Sequence, residues 1–427
     1  MSASLARGIV HVPRRFVAEE WGGTETVILE ISRQQQRAGQ RPVIMTSMAL
    51  ARQREESIAG VPVRRYPYCY PFLGLTDADR AAMDKKGGNL LSLSFFWALL
   101  REPDVRLFHA HALKRLGGEV RTAARLRKKP FVVTLHGGVF DVPEAELEAM
   151  RQPIGNKVEW GKPFGALFGS RRVLEDADQV ICVGQSERDR AQKELTHDRV
   201  AYLPNGVDCA RFAEGSGASF RAKHGIPAEA FLVLNLSRID AQKNQMLLLE
   251  AFAQFQRNQP GAFLVLVGPE TQPSYAAKLR EFIAAQQLGN CVRLLPGLRN
   301  DNPDLIHAFH ACDVFVLPSM HEPFGIVVLE AWSSGRAVIA SRVGGLQALV
   351  RDGETGLFVD PNAATAAADL AGRLQRLAID PGFRKQLAEA GRVEARSRYD
   401  WKEINRQLEE LYQKAEHHAA RSRSATS

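Results

Sequence analysis

Short apolar runs rich in β-branched residues recur along the chain, each separated from the next by a longer stretch with helical spacing. In the first half they are Gly8–Val12, Pro42–Thr46, Val105–His109, Phe131–Leu135, Val180–Val183 and Val200–Leu203. In the second half they are Phe231–Leu236, Phe263–Val267, Val292–Leu295, Val314–Leu317, Ala337–Ala340 and Gly356–Phe358. Continuous apolar runs of this length predict parallel strands buried on both faces by helices. The repeated alternation predicts an α/β protein with two tandem, Rossmann-like, doubly wound parallel sheets of six strands each. The boundary is expected within Pro204–Pro227, where Gly, Ser and Pro gather and no apolar period resumes before Phe231. That gives residues 1–206 as one domain and 207–395 as the other. Trp401–Ala415 places Ile404, Leu408, Leu411 and Tyr412 at helical spacing, so a closing helix is expected over 396–415, with a disordered tail over 416–427. Residues 137–170 form the one long insertion between strand signals and are expected to act as a lid or acceptor loop.

Composition narrows the class. Hydrophobic residues are 45% and charged residues 24% of 427, ordinary values for a globular chain of two or three domains. No run approaches the roughly 18 apolar residues that cross a bilayer, and the N-terminus lacks the apolar core and cleavage site of a secretory signal. Five cysteines, odd in number and widely spaced, make neither a disulfide framework nor a zinc site, and a reducing cytoplasm is the expected location. The net charge of +8 is uneven: residues 1–206 hold 31 Lys and Arg against 24 Asp and Glu, and the rest hold 25 against 24. A basic first half points to an anionic partner, either a phosphate-bearing acceptor or an anionic membrane face, against the alternative of a merely solvated surface. Nucleic acid is disfavoured because no recognition motif accompanies the charge. Within Gly117–Lys129, Arg121, Arg125 and Lys128 fall at i, i+4 and i+7, which predicts a basic helix face. Phe164 and Phe168, just beyond Trp160, would add an apolar foot for peripheral contact with the inner face of the membrane.

The densest chemistry lies in Val314–Glu330, VFVLPSMHEPFGIVVLE. A buried strand ends at Leu317, a polar loop follows, and a helix is expected from about Phe324, with Pro323 suited to its first turn. Ligands of open α/β sheets bind at the carboxyl ends of strands, where this loop lies. The free N–H groups of Phe324, Gly325 and Ile326 would point at an anion. Glu322 and Glu330 bracket the turn, two acceptor-only groups suited to hydroxyl-bearing rings on either side of a diphosphate. The plainer alternative makes Glu322 a dipole partner and Glu330 a surface residue. A second strand, ending in NLSRIDAQK, delivers Arg238 and Lys243, cations suited to a diphosphate leaving group. Gly344-Gly345 reads as either a turn or a close-approach loop, and Leu295–Gly297 as either a base contact or a simple strand end. In the first half, Gly22-Gly23 opens a helix and could meet phosphate, although neither GxGxxG nor a Walker sequence is present. His109, His111 and His136 end strands, and no Asp-x-Asp accompanies them, so no metal is expected.

Taken together, these segments resemble glycosyltransferase family 4. The carriers are Gly22-Gly23, the histidine of TLHGG (His136), PNGVD at Pro204–Asp208, Arg238 with Lys243, the Glu322/Glu330 spacing, and GGLQALVRDGETGLFVD at Gly344–Asp360. The resemblance covers nearly the whole chain except residues 50–100 and 137–170. It implies a GT-B fold, two Rossmann-like domains facing across a cleft, with the closing helix crossing back to the first. It implies a retaining transferase that takes a sugar from a nucleotide-sugar donor, in polysaccharide, glycolipid or glycoconjugate synthesis. Glu322 would hold the sugar hydroxyls beside the N–H groups of Phe324, Gly325 and Ile326, and Glu330 the ribose. Arg238, Lys243 and Gly23 would meet the diphosphate. His136 would bond the sugar, and the leaving phosphate would take the acceptor's proton. No cofactor or metal is implied, and the acceptor is expected to be lipid-linked or otherwise anionic. Competing readings are a non-hydrolysing sugar-nucleotide epimerase, which shares the architecture, and a catalytically silent sugar-binding protein. Against the silent protein stands the intact set Arg238, Lys243, Glu322 and Glu330.

Overall fold

The computed structural model describes residues 8–18, 21–85, 87–137, 148, 152–155 and 157–424. The chain divides into two compact units, one made of the residues up to Pro204 together with those from Ile404 onward, the other of Asn205–Glu403.

The first unit is built on strands β1 (Gly8–Val12), β2 (Arg41–Ser47), β3 (Glu55–Ile58), β4 (Val61–Tyr66), β5 (Val105–Ala110), β6 (Phe131–Leu135), β7 (Gln179–Cys182) and β8 (Val200–Tyr202). They form one sheet in the order β3-β4-β2-β1-β5-β6-β7-β8. Every pairing is parallel except β3 with β4. The sheet therefore has eight strands, where six were expected. The two extra strands escape a search for apolar runs because β4 aims Val61, Val63 and Arg65 inward, and Arg65 is buried. Its guanidinium donates to the Phe16 carbonyl and pairs with Glu56, so a charge occupies a core position with every partner supplied locally. Ala59 and Gly60, both at positive φ, make the two-residue hairpin turn between the pair.

The second unit holds β9 (Leu232–Leu236), β10 (Phe263–Val267), β11 (Val292–Leu295), β12 (Val314–Leu317), β13 (Ala337–Ser341) and β14 (Leu357–Val359). All neighbours are parallel, in the order β11-β10-β9-β12-β13-β14. The chain first winds outward from β9 to β11 and then returns to wind outward from β12 to β14. The point where the direction reverses lies between β9 and β12, the crevice at which sheets of this kind take ligands. Apolar layers cover both faces, with Phe309, Phe315, Val328 and Trp332 on one side and Phe252, Leu264, Leu370 and Leu374 on the other. Each such side chain, fully buried, contributes about 1.5–3 kcal/mol. PNGVD serves this unit as a clasp. Asp208 caps the helix Cys209–Ala213, Val207 donates to the Tyr399 carbonyl at 2.8 Å, and a Cβ at Gly206 would lie 2.6 Å from the Trp401 ring.

Three expectations need correction. The closing helix runs Trp401–Ser424, so residues 416–424 are helical where a disordered tail was expected. Ala415 and Ala419 extend the buried stripe, Glu416 pairs with Arg106 at 2.9 Å, and His418 bonds Asp178 at 2.7 Å. The basic face on Gly117–Lys129 does not form. Its helix ends at Leu126, Lys128 lies beyond it at positive φ, and Arg121 is buried against Asp176, which also pairs Arg125 at 2.9 Å. Phe168 is likewise no foot, being buried 4.9 Å from the Phe96 ring. The expected lid over 137–170 falls in part on residues 138–147, 149–151 and 156, outside the described residues. The described remainder lies on its own unit, where Trp160 donates to the Pro71 carbonyl and Arg115 pairs with Glu159.

Candidate active site

At the reversal point two loops leave the same carboxyl edge of the sheet. One follows β9 through Ser237–Asn244 into the helix Gln245–Asn258, and the other follows β12 through Pro318–Gly325 into the helix Ile326–Ser333. Asn235, fully buried at the end of β9, ties them together, donating to the Val316 carbonyl at 2.8 Å and accepting from Ser237. The loops bring Lys243 and Glu322 into contact, with Nζ 2.6 Å from Oε2 and side chains only 13% and 11% exposed. Two charges this far from water hold each other in place, because either one alone would lack a counter-charge. Among the described residues Glu322 alone partners the Lys243 ammonium, which leaves two of its three N–H donors to offer. Arg238 is placed differently: its side chain is 49% exposed and 3.3 Å from Asp240.

Asp240 is a residue the sequence reading missed. It is buried, accepts from the Lys243 backbone N–H at 3.1 Å and from Thr271 at 3.1 Å, and so fixes both cations of the loop. An acid spaced between two cations after a strand was the available signal. Ser319, also unremarked, is fully buried in Glu322's own loop, with a hydroxyl that finds no partner among the described residues.

The helix after Glu322 begins later than expected. Gly325 is its N-cap, at φ 95, a conformation that favours glycine, and a Cβ there would lie 2.6 Å from Leu346. Pro323 therefore precedes the cap rather than occupying the first turn. The N–H groups of Phe324, Gly325 and Ile326 sit where the chain enters the helix, whose positive end attracts anions. Gly344-Gly345 proves to be the close-approach loop. A Cβ at Gly344 would lie 2.3 Å from the Glu322 carbonyl, one at Gly345 2.1 Å from that of Pro323, and Gly345 donates to Glu322 at 2.8 Å. Glu330 lies farther along the helix, away from the ion pair. Burial pushes its carboxyl up to about 7, with Arg211 pulling the other way.

The first unit holds the remaining candidates. Gly22 caps the helix Gly23–Arg37, and its N–H is accepted by Glu25 at 3.0 Å. His136, just past β6, bonds His111 at 2.8 Å, and His111 bonds His11 at 3.1 Å. Burial pushes the rings of His11 and His136 down to about 4 and those of His109 and His111 well below the usual histidine value, so all four are neutral near pH 7. Nitrogens of His11, His109 and His111 lie within 4.8 Å of one another, close enough to consider an ion. Both nitrogens of each ring are already engaged with His111, Gln35, Tyr412, Thr134, His11 or His136.

The family description "Glycosyltransferase Family 4" matches residues 21–211, and "Glycosyl transferases group 1" matches 218–394. A D-inositol 3-phosphate glycosyltransferase of Saccharomonospora viridis is 33% identical over 72% of this chain and 70% of its own length. One from Salinispora tropica is 31% identical over 95% and 84%. The chain belongs to glycosyltransferase family 4. Its fold is GT-B, shared with HepE of Anabaena, solved with UDP and glucose (TM-score 0.69, 20% identity, 95% and 98% covered). Sucrose-phosphate synthase of Thermosynechococcus elongatus shares it too (TM-score 0.70, 23% identity, 95% and 98%). This family 4 transferase has, among its described residues, no helix long and apolar enough to cross a membrane. A surface hollow bounded by Asp352, Leu357, Asp369 and Arg376 lies at the edge strand β14, off the loops described above.

Proposed function

We propose that this glycosyltransferase takes its sugar from a nucleotide-sugar donor bound at the β9 and β12 loops, and transfers it with retention and without a metal. The carrying observation is the Lys243–Glu322 ion pair beside a helix N-terminus at the reversal point of the sheet. The free donors of Lys243, Arg238 and the N–H groups of Phe324–Ile326 would take the diphosphate, which removes the need for a divalent cation. Glu322 would accept from the sugar hydroxyls and Glu330 from the ribose. Gly22 and Gly23 would add backbone contacts. His136, neutral, would accept a further sugar hydroxyl. Retention follows if the departing phosphate, held by these donors, takes the acceptor's proton on the face it leaves. HepE, solved with UDP-glucose, supports a nucleotide sugar as donor.

For the acceptor we favour an anionic, phosphate-bearing molecule met in the cytoplasm. Two observations support it, the basic excess of residues 1–206 and relatives named for D-inositol 3-phosphate. A lipid-linked phosphate presents the same group at the membrane's inner face. The test is one transfer assay with UDP-, GDP- and ADP-sugars against inositol phosphate and polyprenyl phosphate, the product anomer read by NMR. A product that keeps the donor's anomeric configuration on a phosphate-bearing acceptor supports the reading, and inversion overturns the mechanism. Epimerised donor without acceptor would favour the epimerase.

A further inference from the structure

The histidines of the first unit form an ordered chain whose direction follows from one glutamine. Gln35, 1% exposed on the helix Gly23–Arg37, places Oε1 2.9 Å from His11 Nε2 and Nε2 3.2 Å from the Tyr412 hydroxyl on the closing helix. The amide oxygen only accepts and the amide nitrogen only donates, so the two ends are not interchangeable. Each ring is neutral and carries one N–H and one lone pair. His11 must then donate from Nε2 to Gln35 and accept at Nδ1 from His111 Nε2, 3.1 Å away. His111 Nδ1 is left with a lone pair, so it accepts from His136 Nε2 at 2.8 Å. Along the other branch, Tyr412 accepts from Gln35 and gives its single proton to His109 Nδ1 at 2.8 Å, and His109 Nε2 donates to Thr134 at 2.6 Å. The strand order β1-β5-β6 is what sets these side chains beside one another.

We propose that Gln35, acting through His11 and His111, fixes the proton of His136 on Nε2 and leaves Nδ1 as a bare lone pair, an acceptor for a sugar hydroxyl. Gln35, His11 and His111 are positioning residues here, and Tyr412 and Thr134 anchor the opposite branch. A chain of this kind has two self-consistent directions, and the reverse one would put the proton on Nδ1 of His136, turning an acceptor into a donor. The Gln35 amide decides between them, with its oxygen towards His11 and its nitrogen towards Tyr412. Thr134 can accept from His109, whereas a valine there would strand a buried N–H, which costs more than the bond itself was worth.

The inference rests on the proposed role of His136 for its use but not for its test, since the proton's position is read without substrate. Long-range proton–nitrogen NMR on the full chain, with labelled histidine, should show His136 protonated at Nε2 near neutral pH. Gln35→Met, which removes both ends, should give a mixture of the two forms. Thr134→Val, nearly isosteric and remote from the reacting groups, should shift His136 towards the Nδ1-protonated form and lower kcat about tenfold with far-UV dichroism unchanged. Wild-type His136 protonated on Nδ1 overturns the proposal, as does an unchanged His136 signal in either folded variant. A correct proton order with full turnover in His136→Ala would instead retire the donor-sugar role while leaving the chain intact.

Discussion

Lys243 and Glu322 face two demands at once. As mutual counter-charges they stabilise the loops, and as ligands they must present atoms to a donor. Either single change to alanine should therefore lower turnover at least about 100-fold, the scale of one preorganised electrostatic contact. Each should also lower stability by roughly 3 kcal/mol, because the survivor is left nearly buried and unpaired. Replacing both with methionine separates the roles: urea unfolding should return most of the stability while turnover stays lost. A double variant that loses the sum of the two single losses would show that the pair does not couple. Glu330 makes a different prediction. Its carboxyl is raised in the folded protein from 4.5 to about 7, so between those values the folded state keeps a proton that the unfolded chain has lost. Stability from this group is then greatest at low pH and falls as pH rises through that window. The ionised form is the stronger acceptor for a ribose hydroxyl, so nucleotide affinity should rise between about pH 6 and pH 8. In Glu330→Gln both slopes should flatten, which titration calorimetry and urea melts at matched pH would show.

At the scale of elements, the loop carrying Glu322 owes its shape to Gly344 and Gly345, which come from the next strand over. Gly345→Ala should push the Pro323 carbonyl aside and weaken nucleotide binding about 10-fold or more with the unfolding midpoint little changed, a split that separates shape from fold. The strands leading to Lys243 and Glu322 were legible because each is a continuous apolar run ending in a polar loop. That β9 and β12 are neighbours was not legible, since sheet order depends on winding direction, and that adjacency is what makes the ion pair. The β3–β4 hairpin was hidden by Arg65, a charge in a core position. The basic helix face failed for a related reason: spacing put Arg121 on a stripe, but Asp176, fifty-five residues away, draws it inward. His136 was legible as a strand-end histidine. Gln35 and Tyr412, which join its histidine chain from distant helices, were not.

For the whole molecule, family membership rests on both halves of the chain, and the chemistry proposed for it rests on cations in the second unit. If Arg238, Lys243 and a helix N-terminus do the work of a divalent ion, transfer should persist in excess EDTA with less than about a twofold change. Loss with rescue by magnesium or manganese would place the enzyme in another mechanistic class. The most direct test of the donor-site assignment is calorimetric titration of UDP, GDP and ADP into the wild-type chain and into folded Lys243→Ala. We expect at least one nucleotide to bind the wild type and to lose about tenfold or more in affinity in the variant, close to 1.4 kcal/mol. Undiminished affinity in Lys243→Ala would contradict the assignment of this site.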